Sequence, residues 1–126
     1  MSEDYSKYIE KYRDIFEYIR NYHTQDLIQL LIQKRGDKKE AAKVAAAIAA
    51  RNSLYAAVGN SPYHTVMHHT DYLIDKAEKR LHDSTLSEQE KRRKITGYCT
   101  AIAARNGIHD DLPLIIHIAV KVLKYI

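Results

Sequence analysis

No stretch of this chain alternates apolar and polar residues with period two, whereas apolar side chains recur three and four apart almost from its start. From Tyr5 they fall at Tyr8, Ile9, Tyr12, Ile15, Phe16, Ile19 and Tyr22. Lys7, Glu10, Lys11, Arg13, Asp14, Glu17 and Arg20 lie between them, an exposed face of opposite charges three and four apart. The pattern resumes at Thr24, runs through Leu27, Ile28, Leu31 and Ile32, and stops at Gly36. Asp37 with Glu40 is a capping box that opens a second helix, predicted to reach Val58. Gly59-Asn60-Ser61-Pro62 is a turn, with Ser61 as N-cap and Pro62 in the first helical position of a third helix ending near His82. Ser87 with Glu90 opens a fourth, which stops at Asn106-Gly107. Asp110 or Asp111 and then Pro113 begin the last, Leu112 to Ile126, whose apolar residues cover nearly its whole circumference. The expectation is an all-α fold: a five-helix antiparallel bundle in a single domain over 1–126. Residues 1–58 form a long N-terminal helix-turn-helix arm, and residues 61–126 form the bundle.

The hexapeptide Ala-Ile-Ala-Ala-Arg-Asn occurs twice, at Ala47–Asn52 and Ala101–Asn106, each time closing an Ala-rich helix before the chain turns. Small side chains let another backbone approach closely, and Arg-Asn supplies donors at the helix edge. Such a surface suits packing against helices or against a phosphate backbone. Internal duplication and chance identity in Ala-rich sequence both account for the match.

Net charge is +4, unevenly spread. Residues 1–33 carry four basic and six acidic side chains; residues 34–60 carry six basic (Lys34, Arg35, Lys38, Lys39, Lys43, Arg51) and only two acidic. That segment, with Asn52, is the candidate nucleic-acid surface, since a one-signed cluster is either a solvated face or a polyanion site. No apolar run approaches the roughly 18 residues of a membrane span, and Met1 to Lys11 is too polar for a secretory signal. The single cysteine, Cys99, excludes an intramolecular disulfide and reads as a small buried helix residue. Ten tyrosines against one phenylalanine and no tryptophan favour partly wet interfaces. Tyr5, Tyr8 and Tyr12 on the first stripe, and Ile116, Val120 and Leu123 on the closing helix, are the candidate subunit contacts.

Tyr63-His64-Thr-Val-Met-His68-His69-Thr-Asp71 sets His64 and His68 one turn apart, and His109-Asp110 follows about forty residues later. Imidazoles at that spacing suit a metal. The segment resembles the HD-type metal phosphohydrolases, and by that resemblance His68, His109 and Asp110 would bind metal while His64 acts as general acid. Against it, Arg105-Asn106-Gly107 breaks the helix just before the His-Asp pair, and sixteen residues follow Asp110 where that family places its final metal-binding Asp far downstream.

A broader resemblance rests on the order of features. The chain opens with an aromatic and basic amphipathic segment from Tyr5-Ser-Lys-Tyr8 to Tyr22, followed by Ile48-Ala49-Ala50-Arg51-Asn52. Gly97-Tyr98 then leads to Ala104, and Pro113-Leu114 opens a closing helix with Leu123-Lys124-Tyr125. In this order the chain resembles the coat proteins of rod-shaped and filamentous archaeal viruses with linear double-stranded DNA (rudiviruses, lipothrixviruses, tristromaviruses). The resemblance implies a non-enzymatic, cofactor- and metal-free virion protein. It also implies a helical filament on A-form DNA, built from two identical or paralogous subunits whose N-terminal helices wrap the duplex. A coat that accepts any sequence contacts phosphates through many weak basic contacts. On this expectation the alanines of the Lys39–Ala50 stripe lie against the DNA backbone.

Overall fold

The computed structural model describes residues 5–53, 69–108 and 111–122. Among these the chain forms seven α-helices and no strand. The N-terminal segment, predicted as helix to Tyr22 with a restart at Thr24, forms three helices: α1 (Ser6–Lys11), α2 (Arg13–Asn21) and, from the predicted restart, α3 (Thr24–Gln33). The first break falls at Tyr12, at φ −114° and ψ 32°. Leaving the helix there brings the Tyr12 hydroxyl to Asp111, to which it donates a hydrogen bond. The second falls at Tyr22 and His23, both extended. The Asp26 carboxylate accepts from the His23 N–H at 3.4 Å, closing the first turn of α3.

A turn at 34–37 leads to α4 (Lys38–Ser53), where Asp37 accepts from the Glu40 N–H at 3.3 Å as the capping pattern predicts. Within the described residues the next helix is α5 (Thr70–Leu81), preceded by an extended His69 at φ −69° and ψ 153°. The helix predicted to run unbroken from Pro62 to His82 is therefore interrupted at His69. The predicted end of the second helix at Val58 and the Ser61-Pro62 start lie outside the described residues. The capping box of Ser87 and Glu90 opens α6 (Glu88–Ala103) as predicted. A wide turn over Ala104–Ile108 ends it, with Gly107 at φ +108°, a value open to glycine and costly for other residues. The chain closes on α7 (Leu112–Val122).

Helix α4 is the axis of the fold. It packs against α2, α3, α6, α7 and the Ala104–Ile108 turn, and from Ala41 to Ala50 every side chain but Lys43 is buried. Alanine permits this because it brings high helix propensity and so little side-chain volume that neighbouring backbones approach from several sides at once. The expectation that the Lys39–Ala50 stripe faces DNA is thus corrected: Ala46 and Ala50 have no exposed surface. The detached arm is corrected with it, since Ile15, Phe16, Ile19, Leu27, Ile28 and Leu31 share one core with Ile102, Ile115 and Ile118. An amphipathic α2–α3 stripe has nowhere better to place its apolar side than on the alanine helix beside it.

The structure also exposes a repeat longer than the hexapeptide. His23-Thr24-Gln25-Asp26-Leu27-Ile28 opens α3, and His69-Thr70-Asp71-Tyr72-Leu73-Ile74 opens α5. In both, the histidine is the extended N-cap, threonine begins the helix, and the Leu-Ile pair is fully buried. Each of these helices forms an antiparallel hairpin with the one that ends in Ala-Ile-Ala-Ala-Arg-Asn, and the asparagine returns to the threonine. Thr24 Oγ1 donates to Asn52 Oδ1 at 3.0 Å, and Asn106 Nδ2 donates to Thr70 Oγ1 at 3.0 Å. The C-terminal end of α3 meets the start of α5 through Arg35, so these helices run antiparallel, and α4 and α6 consequently do too. Two hairpins of like design, set against each other as if about a two-fold axis, make the centre of the molecule; α2 and α7 cover α4. The two hairpins thus share the hexapeptide, the pattern that opens the first helix and the Asn–Thr bond that joins them.

Candidate functional site

The six cations and one asparagine expected to form a single surface are dispersed. Lys34 is half-buried at the end of α3, and Arg35 pairs with Asp75 at 2.8 Å and Asp71 at 3.7 Å. The Asp75 hydrogen bond, partly opposed by desolvation, holds the Arg35 guanidinium above its ordinary pKa. Lys43 pairs with Asp14 at 3.3 Å and Glu40 at 3.4 Å, and the Asp14 bond likewise raises its ammonium. Arg51 donates through Nη1 to the Ile19 carbonyl and through Nη2 to His23 Nδ1 at 3.3 Å. Asn52 is wholly buried; its Nδ2 donates to Thr96 Oγ1 at 2.9 Å and to the Arg92 carbonyl at 3.3 Å. The Arg-Asn donors read from the sequence as surface groups thus make bonds within the molecule. Asn52 is corrected as a DNA contact on that ground. Lys38 and Lys39 remain exposed on the first turn of α4, and no ion pair joins them to a described residue.

A second cationic element was not picked out from the sequence: the unbroken run Lys91-Arg92-Arg93-Lys94 on α6. It lay in a region whose acidic residues nearly balance its charge, so regional counting hid it. Lys91 pairs with Glu88 at 3.4 Å and Arg92 is half-buried, while Arg93 and Lys94 are exposed and make no ion pair with a described residue. In the register that superposes the two hexapeptides, Arg92-Arg93 corresponds to Lys38-Lys39. Each hairpin therefore carries a basic pair near the start of its second helix. Because α4 and α6 are antiparallel, the pairs lie toward opposite ends of the bundle, roughly 20 Å apart at 1.5 Å per helical residue.

Between α3, the end of α5 and the first half of α6 lies a polar cleft of about 820 Å³. Gln25, Gln29, His82, Lys91 and Arg92 line it, with Arg51 and His23 at one end. Arg51 can only donate, so His23 Nδ1 accepts and its proton resides on Nε2.

The candidate subunit contacts are drawn largely into the chain's own packing. Tyr5 and His117 share a hydrogen bond at 3.1 Å with their rings edge to face, and Tyr12 and Lys11 reach Asp111. Both bonds, Tyr12's first, hold the Asp111 carboxyl below the usual carboxylate range. Tyr8 and Ile116 are half-buried against the core. The α7 face of Leu112, Ile115, Ile118 and Ala119 is core, while the side chain of Val120, and Leu123 altogether, lie outside the described residues. Among described large apolar side chains, Tyr22 and Tyr72 are the exposed ones.

His64, His68, His109 and Asp110 also lie outside the described residues. The extended His69 separates the predicted His64–His68 helix face from Asp71, which pairs instead with Arg35. Among the described residues no three His, Cys, Asp or Glu side chains converge on a possible metal position. Burial pushes the Cys99 thiol well up, so it is not a thiolate nucleophile at neutral pH. No helix is long and apolar enough to cross a membrane. Compared with known protein families, curated proteins and solved structures, the chain matches none.

Proposed function

We propose that this chain is a non-enzymatic helical protein that binds the phosphate backbone of double-stranded DNA without reading its sequence. Its setting is the coat of a filamentous virion, assembled from copies of itself or with a paralogous partner. The observation that carries the reading is the pair of exposed basic dipeptide positions, Lys38-Lys39 and Arg93-Lys94, on equivalent helices of two like hairpins in a chain with an excess of cations. Exposed lysine and arginine outside close ion pairs give up little when they exchange counterions for phosphates. Two such positions on a rigid body contact the backbone at separated points, and repetition along a filament multiplies the weak affinity of each. The backbone contacts proposed are Lys38, Lys39, Arg93 and Lys94, with Lys34 beside the first pair. The alanine stripe and Asn52 serve the interior, and Arg51 is no part of this surface.

The test is a salt titration of duplex binding by the parent and by a variant carrying Lys38→Gln, Lys39→Gln, Arg93→Gln and Lys94→Gln. These side chains are exposed, so folding should be unchanged. The log–log salt slope should fall by roughly 0.9 for each lost phosphate contact, about 3.6 if all four engage. A variant with the parent's slope and affinity would remove this surface from the account. Electron microscopy of the parent with linear duplex decides the coat form: filaments are expected, and discrete particles at saturating protein would refute it.

A further inference from the structure

The two hairpins differ most where α3 and α5 lie side by side, and the difference identifies a site. Forty-six positions separate the two copies of His-Thr-x-x-Leu-Ile, so Gln25 and Gln29 correspond to Asp71 and Asp75, and Leu81 corresponds to Arg35. At the end of the bundle built around Asp71 and Asp75, Arg35 lies across both carboxylates and ties the two helices together. At the opposite end the same three positions are two neutral amides and a leucine. There the helices leave the cleft of about 820 Å³, within the size range of small-molecule sites.

The walls of this cleft differ in chemistry. Lys91 and Arg92 project from α6, and Arg51 stands at the end of α4 with its guanidinium held in place by the Ile19 carbonyl and His23. A guanidinium fixed by packing is better prepared to hold an anion than one that must be ordered on binding. His23, whose Nδ1 faces Arg51, adds its other ring nitrogen at the same end. Of the acidic groups at the rim, Asp26 accepts from the His23 N–H, and Glu88, exposed, pairs with Lys91, an ion pair that a phosphate must share or displace. On the facing wall the Gln25 and Gln29 amides, one turn apart, each offer paired donor and acceptor atoms, with the half-buried Leu81 as apolar surface.

We propose that the cleft is a nucleotide site. The phosphate lies against Arg51, Arg92 and Lys91, and the heterocycle lies beside Leu81 with its polar edge on the glutamine amides. Cations alone would take any small anion; the amide wall and the volume specify a phosphate ester carrying a polar ring. This site is independent of the DNA-contact residues, and its test separates the two.

The experiment is calorimetric titration of the full chain with AMP and, separately, with inorganic phosphate, repeated on two variants. Arg92→Gln keeps the backbone carbonyl that Asn52 uses and removes one charged contact, so AMP affinity should fall about tenfold or more. The triple variant Gln25→Asp, Gln29→Asp, Leu81→Arg transplants the Arg35 end of the molecule onto the cleft end; it should fold as the parent does by circular dichroism and lose AMP binding. The Lys38, Lys39, Arg93, Lys94 variant should bind AMP as the parent does. Failure of the parent to bind AMP at millimolar concentration would overturn the proposal, as would unchanged AMP affinity in both cleft variants. Inorganic phosphate binding as tightly as AMP would overturn the assignment to a nucleotide.

Discussion

Leucine in place of Ala46 should lower the stability of the folded chain by about 1–3 kcal/mol, although alanine is the smallest side chain with a Cβ and leucine a good helix former. Ala46 has no exposed surface, and the helix it belongs to is covered by α2, α3, α6 and α7. Three added carbon atoms have no solvent-facing side to turn toward, so neighbouring helices must separate or the side chain must leave its rotamer wells. The burial of extra apolar surface does not offset that strain in a packed centre. Lys39→Leu, on the exposed first turn of the same helix, should change stability by no more than about 0.5 kcal/mol. Chemical denaturation followed by circular dichroism reads both, as a shift in midpoint at unchanged slope. If alanines faced a ligand, Ala46→Leu would leave the free protein as stable as the parent and weaken only DNA binding.

Asn52→Ala should cost about 1–3 kcal/mol, more than Asn106→Ala, although the two residues end the same hexapeptide. Asn52 is fully buried and joins three helices: it accepts from Thr24 on α3 and donates to Thr96 and to the Arg92 carbonyl on α6. Its removal strands the buried Thr96 hydroxyl and leaves a void between the hairpins. Asn106 is half-buried, bonds back to the Ile102 carbonyl of its own helix at 2.8 Å, and reaches one other helix through Thr70. Asn52→Asp should be worse than Asn52→Ala, because it buries a carboxylate against an oxygen of Thr96 and the Arg92 carbonyl. Equal losses at the two asparagines would contradict the ranking, as would a loss at Asn52 within the range of surface substitutions.

Helical spacing made the fold class legible, and the capping pairs Asp37–Glu40 and Ser87–Glu90 located two helix starts to within a residue. The restart at Thr24 was legible in the resumed apolar spacing, and α3 begins there. The break at Tyr12 was not legible, because nothing local demands it; its partner, Asp111, lies far along the chain. The alanine helix was misplaced for a related reason: a stripe of small residues announces close approach but not what approaches. Arg51 and Asn52 were recognised as donors, and only the fold shows that the acceptors are Ile19, Thr96 and Arg92 of the same chain. The second half of the repeat, His-Thr-x-x-Leu-Ile, was present in the sequence all along. Its copies lie forty-six residues apart and the hexapeptides fifty-four, so no single offset aligns both. The Lys91–Lys94 run was equally visible, and was obscured by summing charge over a long segment that also holds eight acids.

The measurement that bears most directly on this account is hydrogen–deuterium exchange along α4, with and without duplex DNA. If the alanine helix is the interior axis of two like hairpins, the amides of Ala41 to Ala50 exchange more slowly than those of any other described helix in the free protein. Adding DNA then leaves them unchanged, and new protection falls on the starts of α4 and α6 around Lys38-Lys39 and Arg93-Lys94. Rapid exchange of Ala41 to Ala50 in the free protein, slowed only when DNA is added, would contradict it and return that helix to the DNA surface.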